Sequence, residues 1–181
     1  VAVLATLNVV RPQMSGAGGN GFLTYFDESS GAVRSLTAAG AAPEALVAGD
    51  RLAEELNKGI YAGVVPGLLG GWVSMLKEFG TMSLSEVLEP AIEYATDGHP
   101  IEASVVQANA SQEDLFRQYP TSARMFLPED RVPEVGELFR MPDLASTFRK
   151  LIEEEERVVQ QGRSRNEALD AAFSRFYNGD I

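Results

Sequence analysis

The stretch Pro12-Gln-Met-Ser-Gly-Ala-Gly-Gly-Asn-Gly-Phe22 leads directly into Leu23-Thr-Tyr-Phe26. Its glycines permit backbone conformations and close approaches that a residue with a Cβ reaches only at a cost. Such a loop has two readings. Glycine loops expose backbone N–H groups that can cradle a phosphate at a helix start. Here no Gly-Lys-Ser/Thr follows, and the residues after Gly21 are aromatic and apolar like a strand, so both nucleotide fingerprints miss their structural context. The remaining reading is a tight turn in which backbone packs on backbone and a strand begins at its end.

Working outward, Phe22-Leu-Thr-Tyr-Phe26 and Ala32-Val-Arg-Ser-Leu-Thr-Ala38 are rich in aromatic and β-branched residues, with Asp27-Glu-Ser-Ser-Gly31 as turn chemistry between them. This predicts a β-hairpin with Gly31 at a positive φ. The first strand is apolar on both faces apart from Thr24, which predicts a sheet covered on both sides. Ile60-Tyr-Ala-Gly-Val-Val65 predicts a further strand or extended segment, after which Pro66 opens a helix at its first position. Leu69, Trp72, Met75, Leu76 and Phe79 recur at helical spacing and form a core stripe. Gly67, Gly70 and Gly71 let that helix press on another backbone, and Gly80 ends it.

Ser83-Leu-Ser-Glu86 is a capping box that starts a helix carrying Leu84, Val87, Leu88, Ala91, Ile92 and Ala95, kinked by Pro90 and closed by Gly98. Glu102 to about Phe116 is helical and more polar. Pro120, Pro128 and Pro133 mark an irregular stretch. Asp143 caps a helix through about Glu156, with Leu144, Phe148, Leu151 and Ile152 inward. Ser164-Arg-Asn-Glu167 is a second capping box for a last helix carrying Leu169, Ala172, Phe173 and Phe176. The pattern is α+β and reads as a single domain over residues 1–181.

A chain of 181 residues, 45% hydrophobic, can bury a substantial core. The formal net charge of -11 argues against a nucleic-acid partner, since no basic patch offsets it. The chain has no cysteine, so disulfides, thiolate metal sites and cysteine nucleophiles are excluded for it. No apolar run approaches the roughly 20 residues of a membrane span. The ends read as those of an internal piece of a longer precursor: Val1 to Val10 is apolar on nearly every side, like a buried helix entered partway along. No signal-peptide pattern precedes it.

Self-contained chemistry is hard to place. His99, the single histidine, sits in Asp97-Gly-His-Pro100 just past a helix end, where packing or exposure is its expected role. No Gly-x-Ser-x-Gly elbow accompanies it. Glu153 to Glu156 reads as a solvated helix face rather than a metal site, and no metal or cofactor is called for.

Taken together and in order, the glycine loop, Ser35-Leu-Thr-Ala-Ala-Gly-Ala-Ala-Pro43, Val64-Val-Pro-Gly-Leu-Leu-Gly-Gly-Trp72, Lys77-Glu-Phe-Gly-Thr81 and Leu84-Ser-Glu-Val-Leu-Glu-Pro-Ala-Ile92 resemble the large subunit of the γ-glutamyltranspeptidase family of N-terminal-nucleophile hydrolases. The likeness is strong over residues 8 to 98, weak over 102 to 142, and returns at Asp143–Thr147 and at Phe176-Tyr-Asn-Gly-Asp-Ile181. It implies half of an αββα sandwich completed by a small subunit cut from the same precursor. It also implies that this small subunit supplies an N-terminal threonine as nucleophile and base and the backbone N–H groups that hold the oxyanion. A catalytic residue within this chain is not expected. The implied substrate is a γ-glutamyl or related acyl amide, a small molecule or peptide, and the implied compartment is periplasmic or extracellular.

The chain departs from the family where the substrate is gripped. Glutathione-processing members read roughly Leu-Asp-x-Arg-Glu-x-Ala-Pro after the hairpin, the arginine clamping the α-carboxylate of the γ-glutamyl group. Leu36-Thr-Ala-Ala-Gly-Ala-Ala-Pro43 puts Ala39 at the clamp position and Gly40 at that of the acid. The segment is nearer the acylase- and amidase-like branch, similar to Leu-Asn-Gly-Ser-Gly-Arg-Ala-Pro, with Ala41 where that branch carries its arginine. Arg34 does not match in register. Ala39 and Gly40 are therefore the expected substrate-binding positions, facing an acyl group that is smaller, uncharged or differently anchored. The alternative is a non-catalytic scaffold or binding relative.

Overall fold

The computed structural model describes residues 1–42 and 59–181. They form two compact units, residues 16–81 and residues 1–15 with 82–181. The elements are mixed helix and strand, mostly helical.

In the 16–81 unit, β1 (Gly21–Asp27) and β2 (Ala32–Ala38) pair antiparallel from Gly21↔Ala38 to Asp27↔Ala32. The predicted turn forms with Gly31 at φ +65°, and the Asp27 carboxylate accepts from Ser29 N, Ser29 Oγ and Ser30 Oγ. Alternate residues of β1 divide between two faces. Leu23 and Tyr25 turn toward α2 (Leu68–Phe79), where Tyr25 stacks on Phe79 at 4.4 Å between ring centroids. The helix buries Leu68, Leu69, Trp72, Val73 and Leu76, each large side chain contributing about 1.5–3 kcal/mol. The opposite face of the hairpin is exposed: Phe22 81%, Phe26 60% and Val33 66%. The expected two-sided cover is thus present on one face among the described residues.

Two expectations for the approach to α2 need correction. Residues 60–65 contain no strand; Gly59–Ala62 form a 3-10 turn, with Gly59 at φ +64°. A single backbone bond, Val65 N to Ala41 O at 3.0 Å, takes the place of a ladder. The helix begins at Leu68 with Gly67 as its N-cap, so Pro66 precedes the helix rather than opening it.

In the other unit, α1 (Ala2–Val10) packs on α3 (Leu84–Asp97), which packs on α7 (Pro142–Gln160), which in turn packs on α8 (Arg165–Asn178). Both capping boxes form: Ser83 with Glu86 and Ser164 with Glu167. Leu84, Val87, Leu88, Ala91 and Ala95 are buried as the stripe predicts. On α1, Ala5, Asn8 and Val9 are buried but Val3 is 73% exposed, so that helix has a distinct outer face.

Three further departures occur here. Pro120 opens α6 (Pro120–Phe126) inside the stretch expected to be irregular, because proline at a helix start sacrifices no intrahelical bond. It follows α4 (Ala103–Ser111) and α5 (Glu113–Arg117). The cap of α7 is Met141, without a side-chain bond, and Asp143 lies in its first turn. Two short strands, β3 (His99–Pro100) and β4 (Leu138–Phe139), pair antiparallel.

The largest correction concerns Glu155. Its run of acids was expected to be solvated, yet Glu155 is 3% exposed. Its two carboxylate oxygens accept from Leu84 N at 2.8 Å and Ser85 N at 3.1 Å. A carboxylate of α7 therefore satisfies two orphan donors at the start of α3, where the helix dipole also favours negative charge. Glu154 pairs with Arg157, and Glu153 and Glu156 are exposed.

Candidate functional site

The glycine loop, the end of β2 and the entry to α2 are joined by backbone contacts. Gly19 N donates to Gly16 O at 2.8 Å and tightens the loop. Gly19 O then accepts from both Gly67 N, at 3.0 Å, and Leu68 N, at 2.9 Å. The first donors of α2, which would have been the anion-binding groups of a phosphate site, are thus occupied by the loop's own carbonyl. With β1 starting at Gly21, the backbone-on-backbone reading of the loop holds. Asn20 adds a side-chain strut, its Oδ1 accepting from Gly40 N at 2.9 Å.

These contacts place the two expected substrate-binding positions. Ala39 and Gly40 follow β2 directly; Ala39 is exposed and Gly40 half-buried. A Cβ built on Gly40 would overlap Val65 O. A Cβ on Gly67 would overlap Ala38 O and lie 2.6 Å from Gly40 N, and one on Gly71 would collide with the Ala38 Cβ. Gly40 is therefore not merely a residue that lacks an acid: in this backbone arrangement no side chain fits there. Ala39 points no charge into solvent, and Ala41 O is engaged by Val65 N. Pro43, the end of the quoted segment, lies outside the described residues.

Arg34 stands apart from this corner. It pairs with Tyr25 near the turn of the hairpin, about 13 Å along β2 from Ala38 at the usual rise per residue. There it lines a cavity of about 200 Å³ with Leu23, Tyr25, Ser74, Glu78 and Phe79. The structure thus gives Arg34 no role as a replacement clamp.

His99 is a packing histidine, as expected. It is buried, with Tyr94 and Phe139 edge-on at 6.4 and 6.0 Å, and neither ring nitrogen has a hydrogen-bond partner. Burial pushes its pKa down, and the charge of Glu102 opposes that. Without a hydroxyl or carboxylate on either nitrogen, it has no part of a Ser-His-Asp arrangement. Among the described residues no three His, Cys, Asp or Glu side chains converge as metal donors, and no helix is long and apolar enough to cross a membrane.

What sequence reasoning did not provide is the reason for Gly40. That reason is the carbonyl of Val65, just before Gly67, whose own Cβ would in turn crowd Ala38 O and Gly40 N.

Known proteins are similar to this chain along its length. The family model described as gamma-glutamyltranspeptidase matches residues 1–181. A glutathione hydrolase-like proenzyme of Bacillus subtilis is 32% identical, over 100% of this chain and 32% of its own length. An oxamate amidohydrolase proenzyme of Klebsiella pneumoniae is 34% identical, over 83% of this chain and 30% of its own length. The crystal structure of Helicobacter pylori gamma-glutamyltranspeptidase superposes with a TM-score of 0.78 at 28% identity, covering 83% of this chain and 45% of that one. The chain spans about a third of the length of these curated relatives. With the glycine-locked corner, the hairpin and α2 all in the expected order and a match from end to end, this chain belongs to the γ-glutamyltranspeptidase family.

Proposed function

We propose that residues 1–181 are the large-subunit portion of a γ-glutamyltranspeptidase-like amidohydrolase or acyltransferase, whose nucleophile is the N-terminal threonine of a small subunit released from the same precursor. The observation that carries this reading is the end-to-end family match, joined to the exposed apolar face of the hairpin. Phe22, Phe26 and Val33 are a strand pattern made for cover, and the small subunit's layers supply that cover in an αββα sandwich. The relatives named as proenzymes support cleavage of a precursor.

In this reading the threonine hydroxyl attacks the amide carbonyl while its own α-amine takes the proton. Backbone N–H groups of the small subunit hold the oxyanion. The acyl group then passes to water or to an amine. The large subunit's share is the corner formed by Ala38 to Ala41. A bidentate arginine on a carboxylate is charge-assisted and geometrically strict, and removing one partner of such a pair costs about 2–5 kcal/mol. Ala39 and Gly40 offer no such grip, so the preferred acyl group is small or uncharged rather than γ-glutamyl. The K. pneumoniae relative, named for oxamate, fits a small acyl group, although that group carries a carboxylate.

Intact mass and N-terminal sequencing of the purified full-length protein test the proposal. The expected outcome is a second polypeptide beginning with threonine, with turnover of simple acyl amides lost when that threonine becomes alanine. Full turnover in the Thr→Ala protein would sink the mechanism. The missing clamp favours one second reading, a relative that keeps the scaffold as a structural or binding protein. A single uncleaved chain without turnover would select it.

A further inference from the structure

Away from the Ala38–Ala41 corner, in the unit formed by 1–15 and 82–181, α4, α5 and α6 with the chain after α1 line a cavity of about 320 Å³. That volume lies within the range of small-molecule sites. Its apolar wall is Ala108 and the rings of Phe116 and Phe126, stacked at 4.7 Å. Gln13 and Gln112 stand at its exposed rim. No charged side chain lines it among the described residues. Arg117, on the neighbouring turn, is already engaged by Glu113 and Asp130.

One side chain in this wall is unusual. Asn109 is 2% exposed, and its Nδ2 donates to Phe126 O at 3.1 Å, which fixes the amide's orientation. Its Oδ1 accepts no hydrogen bond from the described residues, yet it is not one of the polar atoms sealed from solvent. Solvent therefore reaches this oxygen, and a ligand N–H can take the place of water on it. The cavity is where a donor can reach it.

We infer that this cavity is a binding site for a small neutral carboxamide carrying a ring. The ring lies against Phe116 and Phe126, the carboxamide N–H donates to Asn109 Oδ1, and the carboxamide oxygen accepts from the Gln112 side chain at the rim. A carboxylate is rejected, because it brings a charge to an uncharged wall and offers Asn109 Oδ1 a second acceptor. The site is independent of the proposed amidase activity.

The probes are benzamide, which has the ring, the donor and no charge, and benzoate, which matches its shape but is an anion. Ligand-observed NMR titration on the full-length protein, before and after any cleavage, reads their affinities. Benzamide is expected to bind with a dissociation constant of about 1 mM, as befits so small a ligand, and benzoate at least tenfold more weakly. Ala108→Phe, which fills the cavity, and Gln112→Phe, which crowds its exposed mouth without touching the core, each abolish benzamide binding. The second variant decides the matter if the first fails to fold. Absence of benzamide binding to the full-length protein overturns the inference. So does equal affinity for benzoate, or binding that survives Gln112→Phe.

Discussion

In residues 16–81 the closest approaches are backbone to backbone: Gly19 O on the start of α2, Gly67 under Ala38 O, Gly40 under Val65 O. Residues 82–181 pack chiefly through side chains, with Phe148, Leu151, Leu169 and Leu88 filling a helical core and the Glu155 carboxylate holding the backbone at the start of α3. The first unit tolerates no added atom at certain positions and leaves a hydrophobic sheet face open. The second buries its largest apolar side chains in a helical core and is expected to tolerate modest repacking. The difference fits a division of labour. In the proposed function the corner meets substrate and a partner layer, which asks for a backbone held to within a fraction of an ångström; glycine contacts hold it without bulky side chains. A supporting unit needs burial, which side chains supply.

The comparison can be broken most sharply at Gly40. Gly40→Ala places a Cβ onto Val65 O, so it should cost about 4 kcal/mol or more, the range reserved for severe core lesions. Gly18→Ala, where a Cβ meets nothing within 4 Å, should stay within about 0.5 kcal/mol. Chemical denaturation of the two variants checks the contrast; similar losses would mean that the corner is not glycine-locked.

Next in size is Phe148→Ala in the helical unit. The residue is fully buried, and the expected loss is about 3–5 kcal/mol from transfer and cavity together. Partial recovery in Phe148→Leu, read as a higher denaturation midpoint, would mark the tolerance for repacking that the glycine corner lacks.

Glu155→Gln comes third. It keeps the shape and one acceptor but leaves Leu84 N or Ser85 N without its charged partner, a loss of about 1–3 kcal/mol. Glu156→Gln, one residue on and exposed, should be near neutral in the same assay.

The smallest effect is one of pH. Burial holds the His99 imidazole below its ordinary value of 6.5, so the unfolded chain binds a proton before the folded chain does. Its contribution to stability is complete above that value and is lost as pH falls through the window between the unfolded and folded values. Thermal melts from pH 8 to pH 5 should show a decline that is shallower in His99→Phe; identical slopes would remove His99 as the cause.

Local signals in the sequence carried much of the fold. The hairpin, α2, and the starts of α3 and α8 were legible because each rests on residues within a few positions of one another: turn glycine, helical stripe, capping box. Ala39 and Gly40 were expected to be substrate-facing positions only through the family resemblance. What failed was decided at long range. Glu155 reads like its neighbours until α3 arrives with two free N–H groups 70 residues earlier in the chain. Pro120 reads as a breaker or a helix opener with equal right, and packing around Phe116 and Phe126 chooses between them. The reason for Gly40 is a carbonyl belonging to Val65, invisible in any window of residues around it.

The carboxylate of Glu155 also has a kinetic signature. The first amides of a helix normally exchange their hydrogens with water fastest, since nothing in the helix holds them. At α3 those of Leu84 and Ser85 are held by a buried side chain from another helix. Their deuterium uptake should therefore be slow, and it should quicken only when α7 itself detaches, which makes two backbone protons at a helix start a clock for the opening of the whole helical unit.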